Sequence, residues 1–228
     1  MAIIKAIVCE VMRDEWLKVN DKGIETVFLE QGLHSHPEVL HQKLQEAIDL
    51  TNDCDTIILG YGLCSNALIG LQGKSKNLVI PLVEDCIGLF LGSSAAHAAE
   101  HENEPGTYYF TKGWVVAQKD PYQDYLVYRE KWDEEDAWWA THEMMKHYKR
   151  AVYIDTNCYD ASEYFAYTRE FAEFFKLRAE NIIGSLDLIR ELISADWHHC
   201  LILAPGEQFS EVGFREAINQ QNSMLTRL

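Results

Sequence analysis

Short apolar, β-branched runs alternate with segments of helical spacing along the first hundred residues. Residues 3–8, 26–29, 56–59 and 78–83 each read as a strand, and the last two are apolar enough to be buried on both faces. Residues 11–19, polar but Trp-containing, read as a helix. So does the segment after Pro37, where Val39, Leu40, Leu44, Ala47 and Ile48 recur at helical spacing and proline suits the first turn. Gly60-Tyr61-Gly62 breaks the third strand, and the spacing after it predicts a short helix over 63–71. A further helix starts at 87–91. Strands alternating with helices at this spacing argue for βαβ units and a parallel sheet.

The pattern changes at 97–136, which is acidic, aromatic and interrupted by Pro105-Gly106 and Pro121. It reads as an irregular insertion or lid. Beyond it, 137–150, 162–175 and 186–193 read as helices, and 151–154 and 200–203 as strands. The expected fold is therefore one three-layer α/β domain over 1–228, with a mostly parallel sheet and an irregular aromatic insertion. Tyr164, Phe165, Tyr167, Phe171, Phe174 and Phe175 form an aromatic helix that suits a core or a subunit interface; a homo-oligomer is compatible with it.

Hydrophobic residues at 47% exclude disorder for most of the chain. With 20 basic against 36 acidic residues the net charge is -16, which disfavours nucleic acid as a partner. No run reaches the ~18 apolar residues of a membrane helix, and the N-terminal residues do not have the pattern of a signal peptide. A cytoplasmic protein with reduced cysteines is expected.

The six cysteines, at 9, 54, 64, 86, 158 and 200, contain no C-x-x-C pair, so any cysteine site must be assembled from distant segments. Cys9, Cys64, Cys86 and Cys158 each fall just past a predicted strand. In open parallel sheets that edge is where ligands bind. Cys54 and Cys200, at strand starts, read as small buried hydrophobes, and packing is the favoured role of Cys158. His34 and His36 follow the second strand on the same edge. Thiolates at Cys9, Cys64 and Cys86, with His34 the best imidazole and His36 the next, would suit one divalent ion, zinc above others, with a position left for a small-molecule substrate. Cys64 and Cys86 precede predicted helices, whose dipoles would favour the anions. Strand neighbours lie ~4.8 Å apart, so a shared ion requires the flavodoxin-like order 2-1-3-4-5. The dinucleotide-binding order would put the third and fourth strands ~14 Å apart.

Glu10 and Asp85 flank these cysteines as candidate general bases or ligand-orienting groups, although capping the following helix also accounts for Asp85. Tyr61, Asn66 and Arg13 are candidate cofactor contacts on the same rim. Gly60–Ala67 lacks both the third glycine of a dinucleotide fingerprint and the lysine of a P-loop. His142 and His147, five apart, do not face one ion on a regular helix. His198-His199 reads as a loop before the last strand.

Cys9-Glu10, Gly32-Leu-His34 with Pro37, Gly60-Tyr-Gly-Leu-Cys64 with Gly70-Leu71, Ile80-Pro81, Asp85-Cys86-Ile87 with Leu91-Gly92-Ser93, and Pro105-Gly106 with Gly113-Trp114 stand in this order. Together they resemble the family catalogued as domain of unknown function 1638. The resemblance implies a part in methyl-group metabolism of anaerobes, beside corrinoid-dependent methyltransferase systems, with a corrinoid protein or methyltransferase as partner. It assigns no catalytic residue. The family pattern has arginine where Leu82 stands here. No D-x-H-x-x-G is present, so cobalamin is not expected to bind in the usual histidine-ligated way. Three functions stay open: a metal enzyme transferring methyl to or from a thiol, with 106–114 closing as a lid; a metal or cofactor carrier for a partner enzyme; and a metal-free enzyme using a reactive Cys64.

Overall fold

The computed structural model describes residues 2–225, with 222–225 described by backbone alone. The chain forms two compact units. One comprises residues up to His97 together with those from Ser185 onward, and the other is Ala98–Gly184.

The first unit runs β1 (Ile4–Cys9), α1 (Arg13–Val19), β2 (Glu25–Leu29), α2 (Pro37–Leu50), β3 (Thr56–Gly60), β4 (Asn77–Pro81) and α3 (Cys86–Leu91). Then α4 (Ser94–Asn103) carries the chain onward into β5 (Thr107–Phe110), α5 (Lys112–Ala117), α6 (Pro121–Tyr128), α7 (Glu134–Met145), β6 (Arg150–Asp155), α8 (Ser162–Phe175) and β7 (Arg178–Ile183). It returns through α9 (Asp187–Ser194), β8 (Cys200–Leu203) and α10 (Glu211–Leu225).

The first sheet has the order β2-β1-β3-β4-β8. Its first four strands are parallel, in the flavodoxin-like order. β8 departs from that pattern, running antiparallel to β4 with Pro81 opposite Cys200. Ile7, Val8, Ile57, Ile58, Leu59, Leu78, Val79 and Ile80 are buried, as strands covered on both faces require. Leu40, Leu44 and Ile48 of α2 and Leu188, Ile189, Leu192 and Ile193 of α9 are also buried.

The second unit has its own all-parallel sheet, β5-β6-β7. Phe110, Tyr153, Phe171 and Phe175 form its core, with Phe110 and Phe171 edge-to-face at 4.8 Å, so α8 is a core helix. The buried Arg150 is satisfied by Glu100 at 2.6 Å and Glu180 at 2.8 Å.

Three local expectations are corrected. Residues 97–136 are not irregular but hold β5, α5 and α6, elements too short to show a hydrophobic period. Residues 63–71 are not a helix: 64–70 form a series of turns. Cys158 follows β6 and so belongs to the second sheet, not to the edge that carries Cys9, Cys64 and Cys86. No helix among the described residues is long and apolar enough to cross a membrane.

Candidate functional site

The site is built where β1, β3 and β4 end side by side. Glycine is required twice here, at the last residue of β3 and in the turn after it. A Cβ on Gly60 would lie 2.9 Å from Val8 of β1, and one on Gly62 would lie 2.6 Å from the Asp85 backbone. The close approach at Gly62 lets the two loops hydrogen-bond. Leu63 N donates to Val83 O at 3.0 Å, and Cys64 N donates to Glu84 O at 3.0 Å. Cys64 is thereby fixed to the segment that leads into Cys86.

Beyond this latch the backbone is strained. Cys64, Ser65 and Asn66 stand in the left-handed region in succession, at φ 47°, 55° and 69°. Each non-glycine residue there costs roughly 1–2 kcal/mol. Ala67 N closes the turn on Cys64 O at 3.2 Å. Such strain persists only where surrounding contacts enforce it, and it gathers at functional sites.

The thiols of Cys9, Cys64 and Cys86 and the hydroxyl of Tyr61 share one low-dielectric neighbourhood. Burial, the main cause, pushes the Cys9 thiol up from 9.0 to about 11. It raises Cys64 further, with Cys9 and Asp85 adding to the effect. Cys86 rises well above its ordinary value through burial, then through Cys64 and Cys9. Tyr61 is raised by burial and then by Cys9, Cys64 and Cys86 in turn. The four groups therefore lie within electrostatic reach of one another. The Tyr61 hydroxyl is buried and close to Cys9, yet no hydrogen bond of normal geometry satisfies it. The expectation that helix dipoles would favour thiolates is corrected: no helix follows Cys64, and burial outweighs the first turn of α3 at Cys86.

The remaining candidates divide. Asp85 lies within the field of Cys64 and Cys86 but spends Oδ1 capping α3, accepting from Ile87 N at 2.8 Å. His97 Nδ1 lies 3.7 Å from that same oxygen. Glu10 accepts from two guanidinium nitrogens of Arg13, Nε and Nη2, and that guanidinium lies over Phe28 at 4.0 Å. That pair is a rim ion pair; Glu10 adds to the rise of the Cys9 thiol, whereas no described interaction ties Arg13 to the thiols. Asn66 is exposed and lines a small surface cleft with His41 and Pro37. His34 forms a hydrogen bond through Nδ1 with Gln31 O at 2.8 Å, and no described interaction ties it to the cysteines. His36 precedes α2 without capping it through its side chain. Among the described residues, no three His, Cys, Asp or Glu side chains stand grouped as a metal ion would need them.

Sequence reasoning missed one group on this edge. Because β8 is antiparallel, its start and not its end lies beside the end of β4. Leu82 N donates to His199 O at 2.9 Å, so His199 and Cys200 join this edge. A four-residue apolar run carries no signal of strand direction.

A family model described as "Protein of unknown function (DUF1638)" matches residues 28–193, and the chain belongs to that family. No curated protein and no solved structure is significantly similar to it.

Proposed function

We propose that this DUF1638 protein binds one divalent, zinc-like ion through Cys9, Cys64 and Cys86 and acts in methyl-group metabolism on a small thiol-bearing substrate. The observation that supports the reading most is that three thiols lie within electrostatic reach of one buried Tyr61 hydroxyl that lacks a hydrogen-bond partner, beside a strained turn. Unsatisfied buried hydroxyls are rare in native structures and call for a partner. The donor set fits a soft cation, because thiolate is the form that ligates and a nearby cation reverses the desolvation that holds these thiols protonated. When bound, such an ion would supply Lewis acidity and a means of deprotonating a substrate thiol at neutral pH.

The chain's own residues do the rest. The Tyr61 O–H lies close to Cys9 and would donate to that sulfur once it is a thiolate. The Gly62 contact and the Cys64–Glu84 hydrogen bond hold the backbones that carry two of the thiols in register. Asp85, with one oxygen on the α3 cap and His97 near it, orients the Cys86 end and can pass a proton at its carboxylate. The raised thiols disfavour a metal-free enzyme with a low-pKa Cys64. The reaction class comes from the family resemblance, and a corrinoid protein or methyltransferase is the proposed partner.

Cobalt(II) substitution tests the site. A thiolate-to-cobalt charge-transfer band in the wild type, weakened in Cys9→Ser, Cys64→Ser and Cys86→Ser, supports it. A cobalt spectrum with no thiolate band overturns it.

A further inference from the structure

We propose a second, independent binding site in the same unit: the imidazoles of His198 and His199 hold a divalent transition-metal ion in a cleft at the end of β4. The cleft has a volume of about 390 Å³ and is lined by Leu82, His198, His199, Cys200, Gln220 and Gln221.

Its organising residue is Glu191 on α9. One carboxylate oxygen accepts from His199 N at 2.6 Å, and the other accepts from His199 Nδ1 at 2.6 Å. That clamp fixes the orientation of the ring through Nδ1 and leaves Nε2 for another partner. His198 is more exposed and has a single contact, Nε2 at 2.9 Å from Asp196 Oδ1, which leaves Nδ1. A carboxylate on the far ring nitrogen is the usual support of a metal-ligating imidazole, and imidazole suits zinc, nickel and copper. Two such rings on adjacent residues line one cleft.

Two other readings fit less well. Cys200 points to Glu191, with Sγ 3.9 Å from Oε1, and not to an imidazole; burial raises its thiol. The group is therefore not a Cys–His nucleophilic pair. A purely structural role does not require the clamp either. The strand start is already held by Leu82 N on His199 O at 2.9 Å and by Trp197 Nε1 on Leu192 O at 3.0 Å, and the His199 side chain keeps 45% of its exposure. No third His, Cys, Asp or Glu among the described residues completes a cage, so the remaining positions are open to water or a ligand.

The test uses the full chain with Cys9, Cys64 and Cys86 all replaced by serine, titrated calorimetrically with Zn(II) and optically with Co(II). One equivalent of zinc is expected, with a cobalt spectrum that lacks the thiolate band. Glu191→Gln should weaken zinc binding about 10–100-fold, as loss of a supporting carboxylate does, and His199→Ala should abolish it. No binding in that background, or binding that Glu191→Gln and His199→Ala leave within about twofold, overturns the proposal and marks the imidazoles as adventitious surface ligands. If the triple variant does not fold, the wild type is titrated with Ni(II) and followed by histidine-ring NMR. Selective loss of the His198 and His199 signals supports the site; their persistence at one equivalent overturns it. Failure of the three-cysteine reading would show separately, as absence of the thiolate band in wild-type cobalt protein.

Discussion

The amide of Cys64 donates a 3.0 Å hydrogen bond to the carbonyl of Glu84, two residues before Cys86. This bond ties the loop after β3 to the loop after β4 and makes one unit of two cysteines that lie far apart in sequence. Gly62 permits it, since only a residue without Cβ can lie against Asp85. Gly62→Ala would place a methyl 2.6 Å from the Asp85 backbone, so the latch must open. The expected loss is about 1–3 kcal/mol, read as a lower midpoint in chemical denaturation, with weaker metal binding in the same variant.

The left-handed turn makes a paired prediction. Ser65 stands at φ 55°. Ser65→Val forces a β-branched side chain into that region and should destabilise by roughly 1–3 kcal/mol. Ser65→Gly should cost less than 1 kcal/mol or nothing, since glycine enters the region freely. Equal destabilisation by both, measured by urea unfolding, would show that the turn is not enforced.

The thiols give the metal-free protein a pH dependence of definite sign. The folded state raises Cys9 from 9.0 to about 11, and Cys64 and Cys86 rise as well. The unfolded chain therefore loses thiol protons first as pH rises. Stability is full below about pH 9 and is lost progressively towards 11 and beyond, with roughly 3 kcal/mol at stake for Cys9 alone. Urea midpoints of the metal-free wild type should fall over that range, and Cys9→Ser should flatten the early part of the fall.

Glu10 and Asp85 should behave differently. Glu10 and Arg13 are both exposed enough for solvent to screen their pair, so Glu10→Gln should change stability by less than about 1 kcal/mol. Asp85→Ala removes the α3 cap and should cost about 0.5–2 kcal/mol. If Asp85 also moves a proton in the site, Asp85→Asn should keep much of the stability and still change the pH profile of activity.

The legible parts of the fold are those where one signal acts alone. The runs at β1, β3 and β4 are β-branched and apolar because they are covered on both faces, and the requirement that Cys9, Cys64 and Cys86 lie on neighbouring strands selects the order found in the first sheet. Pro37 marks the first residue of α2. The turn at Cys64–Asn66 is illegible because Leu63, Ala67, Leu68 and Leu71 have helical spacing, while the latch to Val83 and Glu84 overrides it. β7 is illegible because Arg178, Glu180 and Asn181 make it polar, as suits the partly exposed strand at the end of the second sheet. At the site, the cysteines could be read from their places after strands. The roles of Tyr61 and of the His199–Glu191 pair could not, because burial of a hydroxyl and reversal of a strand are tertiary facts.

The most direct test is elemental analysis of protein purified without air, comparing wild type with Cys9→Ser, Cys64→Ser and Cys86→Ser, each also carrying His199→Ala so that the second site does not contribute. About one equivalent of zinc in the His199→Ala parent, lost in each serine variant, is the predicted result. A parent that is folded but metal-free in every preparation, or three serine variants that keep a full equivalent, would contradict the three-cysteine site.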